Sequence, residues 1–490
     1  MDDPVRTYGG WRRSRNMGLL GLGPMQTLLV LGAITMVIVA ASVSLRALAV
    51  SLAPALLLIG ANLLRWDGVP VMHSLRERTR WAVGSARGHT VYRSGAMADG
   101  EHAWQLPGVL APTTLLSVSD PVGGDFGLVH HQRLGTMTVT LRGTAHSTWL
   151  ADRAEADTWV AQWGGWLAGL GLLPMVCWVS VTVDTAPDPG SRLADEVARR
   201  QVPNAPAAAR RVLRQLVQAS PAAAADVETR VSITFAPAAS PARPRDLAEA
   251  VAEVSRALAG LQDGLGQCGL SSVRRATALE LVAIVRAAYD PPVRGDLARL
   301  TPDLAHQLLD WGSAGPVFAE EARGHYRHDG AVSVSWSWHE APRQQVHADV
   351  LARLLSPGHH PKRVSLLYRP MPAGEAARIV EREVNAAAFR TAYRRAQKRD
   401  ESARDLADRE RALRNARDEA VGAGVGLLSL FVTVTVADEA ELGRAVADIE
   451  ARADAAKIRL RRMWSSQAAG FAITLPCGIC PPVLAQRWPR

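Results

Sequence analysis

The sequence predicts a mixed α+β protein that begins with a transmembrane helical hairpin and continues as two successive α+β domains. Two observations lead to this fold class. Residues 24–65 hold two long apolar stretches, and the remainder of the 490 residues alternates strand and helix patterns around one long charged insertion. The chain beyond the hairpin is long enough to bury two sizeable cores.

The hairpin prediction depends on the length of the two apolar runs. They extend from Met25 to about Ser42 and from Ala47 to Leu64, with Arg46 between them. At about 1.5 Å per residue, helices of this length cross a hydrocarbon core of about 30 Å. The favoured interpretation is a retained hairpin with a short external turn. A cleaved signal peptide is the alternative, since Ala40 and Ala41 supply small residues at a possible cleavage site.

Arginines flank the hairpin on both sides, whereas the turn offers only Arg46. The positive-inside rule therefore predicts that both termini are cytoplasmic, with two spans in the cytoplasmic (inner) cell membrane. Tryptophans stand at both ends of the pair, where indole rings favour the membrane interface. The predicted membrane-interface residues are Trp11, Arg12, Arg13, Arg15, Arg65, Trp66, Arg76, Arg78 and Arg80.

The net charge of +9 is concentrated around the hairpin. Residues 1–93 hold eleven arginines and four acidic residues, which leaves only +2 for the rest of the chain. The expected partner of this charge is the anionic inner leaflet of the bilayer. The charge does not indicate nucleic acid as a partner. Four cysteines are too few for a disulfide scaffold and suit a reducing compartment.

Composition shifts divide the chain into six expected parts. These are a basic cytoplasmic leader (1–23), the transmembrane hairpin (24–65), a juxtamembrane segment and linker (66–112), a first α+β domain (113–300), a second α+β domain (301–476) and a C-terminal tail (477–490).

Hydrophobic periodicity places strands and helices in both domains. In the first domain the pattern predicts strands at 126–131, 135–141, 176–181, 227–235 and 271–275, and helices at 153–170, 191–201, 206–219 and 245–264. In the second it predicts strands at 331–338, 363–368, 427–436 and 458–464, a possible last strand at 469–475, and helices at 348–355 and 439–456. This order resembles two ferredoxin-like α/β sandwich domains in tandem.

The charged insertion at residues 374–420 interrupts the second domain. It carries twelve basic and ten acidic side chains with sparse apolar positions. Asp400, Glu401 and Ser402 are suited to cap a second helix, so the segment is predicted to form an inserted helical hairpin. A docking arm for a partner and a solvated structural hairpin share this pattern, and both interpretations stay open.

The sequence motifs that could indicate catalysis or ligand binding favour a protein that is not an enzyme and has no cofactor or metal. No Gly-x-x-x-x-Gly-Lys-[Ser/Thr] loop occurs, which argues against ATP hydrolysis by this chain. Cys477 and Cys480 form a C-x-x-C, but two prolines and the chain end follow, so a fortuitous pair is favoured over a redox or zinc site. The histidine groups, at 130–131, 339, 347 and 359–360, lack carboxylates at ligand spacing and are interpreted as solvated.

Several strings resemble a family of actinobacterial membrane proteins grouped with PrgI-like components of conjugation and type IV secretion clusters. They are Tyr8-Gly9-Gly10-Trp11-Arg12-Arg13-Ser14-Arg15, Gly18-Leu19-Leu20-Gly21-Leu22-Gly23-Pro24, Leu106-Pro107-Gly108, Phe126-Gly127-Leu128-Val129-His130, Trp163-Gly164-Gly165, Asp188-Pro189-Gly190 and Phe471-Ala472-Ile473-Thr474-Leu475-Pro476. The resemblance covers essentially the whole chain, although Cys477 and Cys480 depart from the usual end.

The resemblance implies a body similar to the non-catalytic N-terminal part of type IV secretion ATPases, preceded by a two-helix anchor. It implies a non-enzymatic scaffold of a conjugative transfer or protein secretion apparatus. The expected partners are a separate ATPase, other apparatus subunits and further copies of the chain. Some relatives are labelled as the type VII secretion component EccE, which is the alternative function. A membrane-bound thiol or metal enzyme is a more distant alternative.

Overall fold

The structure is a computed structural model that describes residues 7–9, 24–66, 68–95, 98, 104–121, 123–146, 151–187, 197–202, 204–219, 225–342, 344–396 and 403–482. The chain divides into two compact units. The first comprises residues 1–9, 90–377 and 418–490, and the second comprises residues 10–89 and 378–417.

Helices and strands alternate after the first two helices. The helices are α1 (Pro24–Val43), α2 (Leu45–Leu63), α3 (Val71–Ala86), α4 (Arg153–Leu170), α5 (Ala207–Ala219), α6 (Leu247–Gly266), α7 (Ala278–Tyr289), α8 (Arg294–Leu297), α9 (Pro302–Leu308), α10 (Ala352–Leu355), α11 (Ala373–Ala396), α12 (Ala403–Ala420), α13 (Leu442–Ala455) and α14 (Gln467–Ile473). The strands are β1 (Arg65–Trp66), β2 (Val69–Pro70), β3 (Val91–Arg93), β4 (Thr113–Val118), β5 (Phe126–His131), β6 (Thr136–Ala145), β7 (Val176–Pro187), β8 (Ala225–Phe235), β9 (Leu270–Arg275), β10 (Phe318–Glu321), β11 (Tyr326–His328), β12 (Ala331–Glu340), β13 (Lys362–Pro370), β14 (Gly426–Val436) and β15 (Arg459–Arg462).

The predicted α+β class is confirmed, and thirteen of the strands form one antiparallel sheet. Its order is β3-β10-β11-β12-β14-β13-β7-β8-β6-β5-β4, with β15 added to β12 and β9 added to β6. The two predicted domains therefore share a sheet, because β7 of the first pairs with β13 of the second over seven residue pairs from Thr185–Lys362 to Val179–Tyr368.

The pairing pattern occurs twice along the chain. In the first half β6 lies between β8 on one side and β5 and β9 on the other, and β7 pairs with β8. In the second half β12 lies between β14 on one side and β11 and β15 on the other, and β13 pairs with β14. The two halves thus have the same strand order and meet through β7 and β13.

Helices cover both faces of the sheet. On one face α4 and α6 pack on the first half and α10 and α13 on the second, around separate apolar cores. On the other face a single core holds residues of both halves together with α7, α14 and the segment that follows α14. This shared core fixes the two halves as one body.

The predicted strand at 469–475 is wrong, because Gln467–Ile473 is the helix α14. Both edges of its nearest strand, β12, are already occupied by β14 and by β11 with β15, so no edge remains for another strand. The segment instead lies on the sheet face, where Gly470 allows close approach: a Cβ there would be 2.6 Å from Ser335 Cβ.

Several other elements match the sequence prediction. The structure confirms α4 at its predicted bounds and α10 is shorter than the predicted helix, whereas α3, α7, β4, β10 and β11 were not predicted. β3 lies in the predicted juxtamembrane segment and pairs with β10. The charged insertion contains the two predicted helices, α11 and α12, whereas Asp400, Glu401 and Ser402 lie outside the described residues.

Candidate functional site

The first candidate site is the pair of N-terminal helices, α1 and α2. Both are long and apolar enough to cross a membrane. Ser44 forms the whole turn between them, and its hydroxyl accepts a hydrogen bond at 3.1 Å from the backbone N–H of Ala47 at the start of α2. Arg46, predicted in the turn, therefore lies in the first turn of α2.

These helices bury little of their apolar surface within the protein. Val30 and Ala33 on α1 and Ala55 and Asn62 on α2 are buried, and the Asn62 amide is satisfied by the Leu58 carbonyl at 2.8 Å. Many large apolar side chains are instead exposed: Leu28, Leu29, Leu31, Ile34, Met36, Ile38, Val39, Val43, Leu45, Val50, Leu52, Leu56, Leu57 and Leu63. Apolar surface of this extent is unfavourable in water at about 25 cal/mol per Å², and hydrocarbon removes that cost.

The predicted interface arginines that the structure describes lie just after α2. Arg65 is on the short strand β1, and Arg76, Arg78 and Arg80 are exposed on α3. Trp66 also lies on β1, but its side chain, like Trp11, Arg12, Arg13 and Arg15, lies outside what the structure describes.

The end of α3 carries a shallow basic cleft that the sequence did not single out. Its lining consists of Thr79, Arg80, Val83, Gly84, Arg87 and His89. Gly88, at φ +76°, ends the helix by a left-handed turn that brings the backbone N–H of His89 to the Gly84 carbonyl at 2.9 Å. With no carboxylate in this lining, the cleft attracts anions.

The second candidate site is a buried polar seam across the middle of the sheet. We define the seam as five hydroxyl pairs that join neighbouring strands at 2.7–2.9 Å: Thr138–Thr234, Thr140–Ser232, Thr182–Ser365, Ser333–Thr435 and Ser335–Thr433. All ten side chains are buried. Each of these ten hydroxyls has a partner on the neighbouring strand, so none of them is left unsatisfied by its burial.

A charge cluster lies beside the seam where the two halves join. Asp184 on β7 accepts from Arg230 at 2.9 Å and from Arg294 at 3.1 Å, and it is in register with Arg363 of β13. Burial alone raises the pKa of Asp184, but Arg294 and Arg230 outweigh it and hold that pKa well below its usual range. Asp184 is therefore ionised at neutral pH and balances the buried arginines.

Arg363 is the cation of this cluster that faces α14. It is 3% exposed, its Nε donates to the Thr474 hydroxyl at 3.1 Å, and its guanidinium lies 4.6 Å from the centre of the Phe471 ring. Burial lowers the pKa of Arg363 to about 10, so the side chain remains protonated at neutral pH. The cation–π contact and the hydroxyl tie the C-terminal segment to the centre of the sheet.

The C-terminal segment, residues 467–480, crosses the sheet from the second half to the first. Gln467 accepts from the backbone N–H of Ser335 on β12 at 2.8 Å, and Thr474 donates to Thr433 on β14 at 3.3 Å. Gly478 lies on the seam of the first half, where a Cβ would be 1.9 Å from Thr138 Oγ1. We call this segment the C-terminal strap.

Cys477 and Cys480 belong to the strap and are core residues rather than part of a loose tail. Neither forms a disulfide, and they are 1% and 3% exposed. Burial raises the pKa of Cys477 to about 12, which disfavours the thiolate that redox chemistry and metal binding require. In the described residues no three His, Cys, Asp or Glu side chains come together as a metal site would need.

The histidines are dispersed, and one that the sequence analysis passed over is the most constrained. His131 is buried rather than solvated as predicted, and burial lowers its pKa. His328 is fully buried and contacts the Tyr289 carbonyl at 2.6 Å and the Ser333 hydroxyl at 2.7 Å. Burial lowers the pKa of His328 to about 3, so it is neutral at physiological pH and serves as a fixed hydrogen-bonding group.

The arrangement therefore offers a pair of exposed apolar helices that are followed by exposed arginines, and a body with a buried polar seam. The sequence analysis missed Asp184, Arg230 and Arg363, although charged residues within strongly apolar strand patterns were a usable signal. The sequence matches none of the known protein-family models, and no curated protein shows significant similarity to it.

Proposed function

We propose that this protein is a membrane-anchored scaffold that works by binding rather than by chemistry. The observation that carries the proposal is the exposed apolar surface of α1 and α2, joined by a single-residue turn and linked to a large folded body. Hydrocarbon is the environment in which such a surface is stable. The arginines on β1 and α3 favour the cytoplasmic side for the body.

We propose the apparatus from the sequence resemblance: a type IV-like conjugative transfer or secretion machine in the cell membrane. In this proposal the body docks a separate ATPase, other apparatus subunits and further copies of the chain. The inserted helices α11 and α12 offer an extended surface for such contacts, with Leu406 and Leu413 exposed on α12. Exposed apolar residues one heptad apart on a charged helix suit a helix-to-helix contact.

For the body we propose two ferredoxin-like units in tandem. What supports this is the spatial order of the four main strands in each half, β9-β6-β8-β7 and β15-β12-β14-β13. In chain order both read fourth, first, third, second, with all the pairs antiparallel. Helices follow the first and third strands of each unit, as that fold requires.

A non-catalytic role is supported by how the buried reactive groups are used. Cys477 has a raised pKa, His328 is held by two hydrogen bonds, and Asp184 is paired with two arginines. These are the features of structural groups rather than of groups poised for proton transfer.

Cysteine labelling in intact cells tests the anchor. We expect Ser44→Cys, in the external turn, to react with a membrane-impermeant maleimide in intact cells. Ala423→Cys, exposed on the body, should react only after lysis, and the wild-type chain with its largely buried cysteines serves as the control. Labelling of Ala423→Cys alone in intact cells, or protein released from membranes by carbonate, would overturn the proposed anchor.

A further inference from the structure

The helix α5 is amphipathic and uncovered. Val212, Leu213, Leu216 and Val217 share one face at helical spacing, and Val212 and Leu216 are 60% and 58% exposed. The core residues of the body do not include any side chain of α5. An apolar helix face of this kind is normally covered by a partner, and the described part of the chain leaves Val212 and Leu216 open.

All the charged residues on the polar face of α5 are arginines. Arg210, Arg211 and Arg214 occupy it, and none of the three is paired with a carboxylate in the described part of the chain. The surrounding stretch, residues 197–219, contains five arginines and no Asp or Glu. A short helix with arginines on one side and aliphatic residues on the other matches an anionic lipid surface, which offers phosphate at the headgroups and hydrocarbon just below.

The position of α5 in the sheet agrees with a lipid partner. Val91, the first residue of β3, is level with the last residue of β14 across the sheet. The residues paired between them on successive strands are Glu320, Arg327, Val332 and Val436. Lys362 on β13 pairs with Val434 on one side and with Thr185 on the other, so the end of β14 is level with the end of β7. The segment that contains α5 follows the end of β7. β3 is the first strand after α3, so the connection to the anchor and the α5 insertion lie at the same end of the strands.

The charged insertion leaves from the opposite end. It departs after Pro370 and returns at Gly426, which are paired at the far end of β13 and β14. The α5 insertion and the charged insertion therefore leave the sheet at opposite ends of its strands.

We propose that α5 is a second membrane contact that lies on the anionic surface of the bilayer, with its arginines at the headgroups and Val212 and Leu216 in the acyl boundary. This rests on the proposed anchoring by α1 and α2. Because α5 belongs to the same chain as the anchor, its binding is intramolecular, so a short helix of modest intrinsic affinity suffices. The contact fixes one end of the sheet against the membrane.

Hydrogen exchange of the full-length protein in lipid nanodiscs tests this inference. We expect amides of residues 207–219 to exchange about tenfold more slowly in discs of phosphatidylcholine mixed with phosphatidylglycerol than in discs of phosphatidylcholine alone, because the arginines contribute only against anionic headgroups. The triple variant R210E/R211E/R214E should remove the difference, and so should high salt. The variant V212N/L216N should exchange rapidly in both kinds of disc.

A matched control changes the same charge elsewhere on the body. Arg243, Arg245 and Arg256 are exposed near α6, and R243E/R245E/R256E should leave the protection of α5 unchanged. Exchange in β7 and α6 reports whether each variant is folded.

Equal exchange of α5 in the two kinds of disc would overturn the inference. So would protection that appears only when another protein is added, since a protein groove would then be the partner. The anchor is read separately in the same experiment from the amides of α1 and α2. If these are protected in discs while α5 is not, only this inference fails; if the protein does not enter the discs, the proposed anchor fails.

Discussion

Gly478 is the residue at which the C-terminal strap comes closest to the sheet. Its φ of +65° is strained for any other residue, and a Cβ would meet the hydroxyls of Thr138 and Thr234. We expect Gly478→Ala to lower the free energy of unfolding by at least about 1–3 kcal/mol, the usual cost of a strained backbone, with the steric clash in addition. Denaturant unfolding of the purified protein measures it.

Gly443 provides the control for that substitution. It is exposed on α13 with open space around its Cα, so Gly443→Ala should leave stability unchanged or raise it by up to about 1 kcal/mol. Equal effects of the two substitutions would show that the strap does not pack on the seam.

Asp184 is the anion on which the buried arginines depend. We expect Asp184→Asn to destabilise the protein by about 3–5 kcal/mol, because Arg363 then loses the carboxylate beside it and the buried Arg230 keeps only Glu228. Asp226→Asn is the matched control: Asp226 is 40% exposed and lies 3.4 Å from Arg294, so its loss should cost at most about 1 kcal/mol. Denaturant titration of both variants measures the difference, and similar values would contradict the assigned role of Asp184.

His328 makes the stability of the body depend on pH. Its pKa in the folded protein is about 3, below the ordinary value of 6.5, so the unfolded state binds a proton first as the pH falls. Stability should therefore decline below about pH 6.5, and this group alone accounts for about 2 kcal/mol between about pH 7.5 and about pH 5. Denaturation midpoints across this pH range give the slope.

The variant His328→Gln keeps a side chain that can serve both Tyr289 and Ser333 but does not titrate. In this variant the stability lost between about pH 7.5 and about pH 5 should be smaller by about 2 kcal/mol. Substitution of the exposed His306 by Gln should not change that loss. An unchanged slope in His328→Gln would mean that His328 is not held neutral.

These residues also show where sequence reasoning ends. Along the predicted strands 227–235 and 331–338 apolar residues alternate with others, and the apolar Val231, Ile233, Val334 and Trp336 are buried. Ser333 and Ser335 fall on the opposite face of their strand, and the sequence does not show what covers that face. That cover comes from residues 467–480, far away in the chain, so the burial of the seam is a tertiary property.

At the scale of the elements, the arginines that follow α2 predict the orientation of the helical hairpin in the membrane. We expect replacement of Arg65, Arg76, Arg78 and Arg80 by Glu to weaken or invert the orientation of the hairpin, because charge next to a span determines which side is retained. Maleimide labelling of Ser44→Cys and Ala423→Cys in this background measures the outcome. The same change at Arg243, Arg245, Arg256 and Arg299 should have no effect, and unchanged topology in both backgrounds would contradict the positive-inside argument.

Elements with a strong period were predictable, and the exceptions have physical causes. α4 and α6 follow amphipathic patterns and lie where expected, as do β5 to β9 and β12 to β15, whereas β3, β4, β10 and β11 were not predicted. α14 was misassigned because a short apolar segment does not distinguish a buried helix from a strand. Only the pairing of β12 on both edges shows that a further strand has no place there.

The whole molecule combines two exposed apolar helices with a body built from two like halves. The sequence indicated two successive α+β domains, but not that β7 and β13 would pair and make one continuous sheet. Pairing between edges of separate domains leaves no periodic signal in either strand. The cluster around Asp184 lies at this junction: its two ion pairs are within the first half, and Arg363 of the second half is in register with Asp184 across the junction.

The most direct test of the proposed scaffold is affinity purification of the full-length protein, solubilised in detergent from its native host, followed by mass spectrometry of the proteins that remain bound. We predict recovery of a P-loop ATPase together with other subunits of a conjugation-type apparatus. Recovery of type VII secretion subunits would replace this assignment with the EccE-like one, and a protein recovered alone would contradict the scaffold function.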